Sequence, residues 1–107
     1  MVEARPGDFF WTLISRIDMQ TGRTERFDFG AGCYCNEPLF APRSALRNVP
    51  GNGYEPGWLL TEVYDSRDRK SFLAVLRADR VSEVPVVTFH LSHHVPFSYH
   101  GWWSADV

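Results

Sequence analysis

Phe9-Phe10-Trp11-Thr12-Leu13-Ile14-Ser15-Arg16-Ile17-Asp18, closed by Gln20-Thr21-Gly22 and followed by Thr24-Glu25-Arg26-Phe27-Asp28-Phe29, is the stretch on which the fold turns. Its first part is aromatic and β-branched, the composition that suits a pleated, half-buried surface. The middle carries turn residues. In the last part Glu25, Phe27 and Phe29 share one face and Arg26 and Asp28 the other, the two-residue period of a strand. The three parts together predict a β-hairpin. Trp58 to Tyr64, the polar turn Asp65 to Lys70, and Ser71 to Leu76 predict a second one, with Val86 to Leu91 as a further strand. Asn48 to Gly57, holding Pro50, Gly51, Asn52, Gly53, Pro56 and Gly57, reads as a loop. Pro38-Leu39-Phe40-Ala41-Pro42 is apolar, and its flanking prolines suit only strand ends, edges or bulges. No segment sustains apolar residues at helical spacing, so the chain is expected to be all-β.

The 107 residues suffice for a single domain, taken here as residues 1–107. Eleven basic against thirteen acidic residues leave a formal charge of −2, which argues against phosphate-driven binding of nucleic acid. With 44% hydrophobic and 22% charged residues, the chain should bury a core. Cys33 and Cys35 are too few and too close for a disulfide framework. The opening residues lack the order of a secretory signal. A reducing, cytoplasmic setting is therefore expected. Val84 to Ala105 is free of Asp, Glu, Lys and Arg, but it contains all four histidines, Pro85 and Pro96, so no transmembrane segment is expected there.

Ile14 and Ile17 are matched by Leu73 and Leu76 at a constant offset. Each pair opens a strand, turn, strand pattern leading to a proline-containing apolar segment, Glu37-Pro38-Leu39-Phe40 and then Val95-Pro96-Phe97. Repeats of this kind suggest the blades of a β-propeller, and the same periodicity also allows a sandwich.

Candidate chemistry concentrates near the end of the chain, where His90, His93, His94 and His100 occur. On an extended strand His90 and His94 share a face and His93 points the other way, so these three suit exposed or partly packed positions better than ligation. Cys33 and Cys35 suit packing, as two small side chains on one strand face. A zinc site using Cys33, Cys35 and the His90, His93, His94 cluster is the least favoured alternative. His100 lies among aromatics beside Gly101. Glu37 precedes a proline inside an apolar stretch, where a buried carboxylate needs a partner. By their places in the two repeats, Glu37 and His100 are expected on corresponding strands of neighbouring blades. A carboxylate accepting a hydrogen bond from the far nitrogen of a metal-bound imidazole is a common arrangement.

Ile17-Asp18 with Thr21-Gly22, Glu37-Pro38-Leu39-Phe40-Ala41-Pro42-Arg43, and Gly57 to Asp65 followed by Pro96-Phe97-Ser98-Tyr99-His100-Gly101-Trp102-Trp103 occur in that order. In this the chain resembles the C-terminal part of the carotenoid cleavage oxygenases, which include lignostilbene dioxygenases and retinal pigment epithelium proteins. The resemblance implies the last one to two blades of a seven-bladed β-propeller. It implies an iron(II) held by four histidines, with His100 the last of them and Glu37 the glutamate that orients it. It implies oxidative cleavage, with dioxygen, of a conjugated C=C bond in an apolar carotenoid, apocarotenoid or stilbene-type substrate, giving carbonyl products. Gly101 would permit close backbone approach, Trp103 matches the motif's tryptophan, and Tyr99 would add a hydroxyl near the iron. The other three ligands would lie outside this chain, so the iron would be shared and the chain a fragment with exposed sheet edges prone to self-association. The alternative is a non-catalytic β module or inert remnant with an interaction role only.

Overall fold

The computed structural model describes residues 1–42, 57–98 and 100–104. Every regular element among them is a strand: β1 (Val2–Glu3), β2 (Leu13–Ile17), β3 (Thr24–Asp28), β4 (Cys33–Cys35), β5 (Leu39–Pro42), β6 (Gly57–Asp65), β7 (Lys70–Arg77) and β8 (Val87–His90). β1, β2 and β3 form one antiparallel sheet. In the second sheet β4 and β5 lie end to end along β6, followed by β7 and β8, so that it is four positions wide. Trp11 joins the sheets, its carbonyl accepting the Cys35 N–H at 2.8 Å.

Both hairpins form where the alternation places them, with some boundaries moved. Phe9 to Trp11 stay outside β2, and Phe9 is fully exposed. Aromatic composition marked this segment as strand, but only the part from Leu13 pairs with neighbours on both sides. Of the expected loop, Gly57 opens β6, and residues 43–56 lie outside the described residues. The last strand is shorter than Val86 to Leu91, ending at His90. The repeat is only approximate: Leu76 is completely buried whereas Ile17 is largely exposed, because β2 reaches its turn at the point where β7 is still covered.

The core lies between the sheets, where Ile14 of β2 meets Cys33, Cys35, Val63, Ala74, Leu76 and Val81. Register explains the selection. Cys35 faces Val63 and Val63 faces Phe72, while Leu59 faces Leu76 and Thr61 faces Ala74, so cross-strand partners share the buried face. Tyr34, Leu60, Glu62, Tyr64 and Leu73 therefore occupy the opposite face.

At Gly57 the backbones of β5 and β6 approach closely. A Cβ there would lie 2.6 Å from the Ala41 carbonyl oxygen and 2.6 Å from the Phe40 ring. Gly57→Ala should destabilise the chain by about 1–3 kcal/mol through overpacking, read as a lower denaturant midpoint at unchanged slope. Wild-type stability in that variant would mean that β5 does not pair at this distance.

Candidate functional site

The site starts from a break in strand pairing. Cys35 is opposite Val63 and Leu39 opposite Leu60, so Asn36, Glu37 and Pro38 face only Thr61 and Glu62. One extra residue on this side makes a β-bulge, a device that re-aims side chains. In an uninterrupted strand, the alternation through Cys33 and Cys35 would place Glu37 on the buried face. The bulge instead brings Glu37 to the opposite side, where it lines a cavity of about 140 Å³ with Leu39, Leu60, Glu62 and His100. Pro38 has no N–H to offer, and the ladder resumes only after it.

His100 reaches this cavity from the other end of the chain. After β8 the backbone crosses that same sheet face, with the Val95 N–H donating to the buried Ser71 Oγ at 2.8 Å. Phe97 stacks on Phe10 at 4.9 Å and meets Tyr64 edge-on. His100 Nδ1 then lies 2.6 Å from Glu37 Oε2. An ionised carboxylate only accepts hydrogen bonds, so Nδ1 is the donor and Nε2 of a neutral ring keeps its lone pair. Both side chains are open to solvent, His100 by 83% and Glu37 by 42%.

Glu37 thus has a partner, and it is not buried. The pair also does not occupy corresponding strands, since Glu37 sits in the bulge and His100 follows β8 in an irregular stretch. Among the described residues, a Cβ on Gly101 would make ordinary 3.5 Å contact with Leu39. Trp102 is mostly exposed and Trp103 about half exposed. Tyr99 lies outside the described residues.

Cys33 and Cys35 are buried, free thiols. Burial pushes the Cys35 thiol up to about 12, and burial together with nearby Asp65 raises that of Cys33. Cys35, Val63, Phe72 and His90 form one row across four adjacent strands. Three interstrand spacings of about 4.8 Å keep Cys35 and His90 too far apart to share zinc, whose bonds are about 2.0–2.3 Å. His90 tilts over Phe72, His94 meets Tyr64 edge-on, and the His93 carbonyl accepts from the Ser71 N–H. Among the described residues no three His, Cys, Asp or Glu side chains converge as a metal site. His100 therefore fits a metal only as one ligand of a site completed by other residues.

Composition gave no warning of the buried polar set behind Glu37. Thr61 Oγ1 donates to the Asn36 carbonyl at 2.7 Å, and Asn36 Nδ2 donates to Glu62 Oε2 at 3.0 Å. The available signal was Asn36 directly after the Cys33–Cys35 strand and Thr61 following the apolar Trp58-Leu59-Leu60 run.

Antiparallel strands in neighbouring sheets, with a carboxylate–imidazole pair where the last segment crosses the second sheet, suit neighbouring blades of a β-propeller with a polar site on one of them. The model of the retinal pigment epithelial membrane protein family matches residues 1–105, and the chain belongs to that family. It is 30% identical over 91 residues to the apocarotenoid-15,15'-oxygenase of Synechocystis, covering 85% of this chain and 18% of that protein. It is 34% identical over 82 residues to the carotenoid 9,10(9',10')-cleavage dioxygenase 1 of Pisum sativum, covering 75% of this chain and 14% of that one. The cobalt-substituted Synechocystis apocarotenoid oxygenase superposes with a TM-score of 0.76 at 30% identity, over 89% of this chain and 19% of its own. That enzyme is a seven-bladed β-propeller, and this chain corresponds to a part of it. The chain thus spans under a fifth of the length of these relatives.

Proposed function

We propose that this chain is the C-terminal part of an iron(II)-dependent dioxygenase that cleaves a conjugated C=C bond of a carotenoid, apocarotenoid or stilbene-type substrate to carbonyl products. His100 supplies one iron ligand through Nε2, and Glu37 orients the ring. The observation that carries this reading is the 2.6 Å bond between Nδ1 and Glu37, which leaves Nε2 as the donor atom. Membership of a family whose named relatives cleave carotenoids and apocarotenoids supports the substrate class. Iron, when bound, supplies the redox chemistry through which dioxygen reacts with a closed-shell alkene. This chain's share is local: Glu37 holds the Nδ1 proton, and the bulge holds Glu37. The remaining ligands and the apolar substrate passage belong to other parts of the complete protein. A cytoplasmic setting and self-association through open sheet edges complete the proposal.

The test places this chain in the Synechocystis relative in exchange for the matching segment. After anaerobic loading with iron(II) and desalting, the chimera should retain about one iron per chain, and Glu37→Gln should weaken iron affinity by about 10–100-fold. A folded chimera without iron would favour the non-catalytic module, and unchanged affinity in Glu37→Gln would remove the orienting role.

A further inference from the structure

We propose that Thr61 and Asn36 are positioning residues for the Glu37–His100 pair, acting by pinning the β4–β5 bulge. Three contacts fasten the bulge to β6. The Asn36 N–H donates to the Glu62 carbonyl at 2.9 Å, Thr61 Oγ1 to the Asn36 carbonyl at 2.7 Å, and Asn36 Nδ2 to Glu62 Oε2 at 3.0 Å. Thr61 and Asn36 are 2% and 6% exposed, so their polar atoms lack easy replacement by water. Asn36 Oδ1 is buried without a hydrogen-bond partner among the described residues. Retaining an unsatisfied buried amide at this point costs stability. The side chain is therefore poorly explained by packing and better explained by what its other half holds.

The alternative backbone states show what the clamp prevents. If the extra residue is absorbed elsewhere along β4 or β5, strand alternation returns Glu37 toward the buried face beside Cys35. The carboxylate then leaves His100. The Thr61 hydroxyl holds the carbonyl of the residue immediately before Glu37, so it acts on the peptide unit that sets the direction of the Glu37 side chain. Glu62 answers from the cavity side, where it lines the same wall as Glu37. The pair is thus preorganised through β6, the central strand of this part of the sheet, although no β6 residue is hydrogen-bonded to His100 among the described contacts.

This inference rests on Glu37 orienting His100, but its test reads the pair directly and needs no metal. In the ¹⁵N-histidine-labelled chain at about pH 9, above the ordinary imidazole range, multiple-bond ¹H–¹⁵N spectra report which ring nitrogen of His100 carries the proton. The wild type should be predominantly protonated on Nδ1. Thr61→Val, close in shape but lacking the hydroxyl, should lower the Nδ1–H to Nε2–H ratio by about fivefold, the scale of one net hydrogen bond. Thr61→Ser should restore the wild-type ratio. Val63→Ala, on the same strand and the same buried face, should lower stability while leaving the ratio unchanged. If Thr61→Val does not fold, Asn36→Ala serves instead, with a fall of about twofold expected from loss of its Glu62 contact. An unchanged ratio in the folded variant, or an equal fall in Val63→Ala, would overturn the proposal. Full iron retention by a His100→Ala chimera, alongside the expected tautomer changes, would reject the metal role and leave the clamp standing.

Discussion

His100→Ala, made in the chimera with the Synechocystis relative, should lose its iron: the ratio after anaerobic loading and desalting should fall at least about tenfold, beyond the effect of altering the partner carboxylate alone. Removing Glu37 changes the orientation and basicity of a ligand, whereas removing His100 takes away the donor atom. The exposure of the His100 side chain makes the experiment clean. Among the described residues it belongs to no core contact, so in this chain by itself, free of metal, unfolding stability should stay within about 0.5 kcal/mol of the parent, as for an ordinary surface substitution. Iron loss in the chimera, with unchanged stability of the metal-free chain, would separate ligation from folding. Full iron occupancy in His100→Ala would sink the assignment of this residue as a ligand.

The largest structural effect is expected from Leu76→Ala. Leu76 is completely buried and packs between the sheets in the cluster that contains Ile14, Val63, Ala74 and Val81. Truncation leaves a cavity that the neighbouring strands cannot close without breaking register, so a loss of about 2–5 kcal/mol is expected. That is a substantial share of the roughly 5–15 kcal/mol that holds a small domain together. Denaturant unfolding of the chain measures it. A change below about 1 kcal/mol would mean that the two sheets do not share the core described above.

Much of this architecture is legible without coordinates because strand alternation is local. The period-two pattern at Thr24 to Phe29 becomes β3, and the run from Trp58 to Leu76 becomes the β6–β7 hairpin within a residue at each outer end. Cys33 and Cys35 are both buried, as two apolar side chains spaced by two should be. Aromatic content was a poorer guide at Phe9 to Trp11, because a strand needs partners along its length and, among the described residues, this segment joins no ladder, with only the Trp11 carbonyl bonded across, to Cys35.

The candidate site divides along the same line. Residue types and order single out Glu37 and His100, since a carboxylate before a proline and a histidine before a glycine stand out in apolar surroundings. Their meeting does not follow from either segment. It depends on one extra residue opposite Thr61 and Glu62, which turns Glu37 away from the face that Cys33 and Cys35 occupy. It also depends on Ser71 and the Phe10–Phe97 stack, which lay the last segment across the sheet. Local alternation and turn chemistry determine which stretches become strands, because they act over a few neighbouring residues. The position of a bulge and the path of a chain end are set by cross-strand register and long-range packing, whose energies exist only once distant segments are in contact.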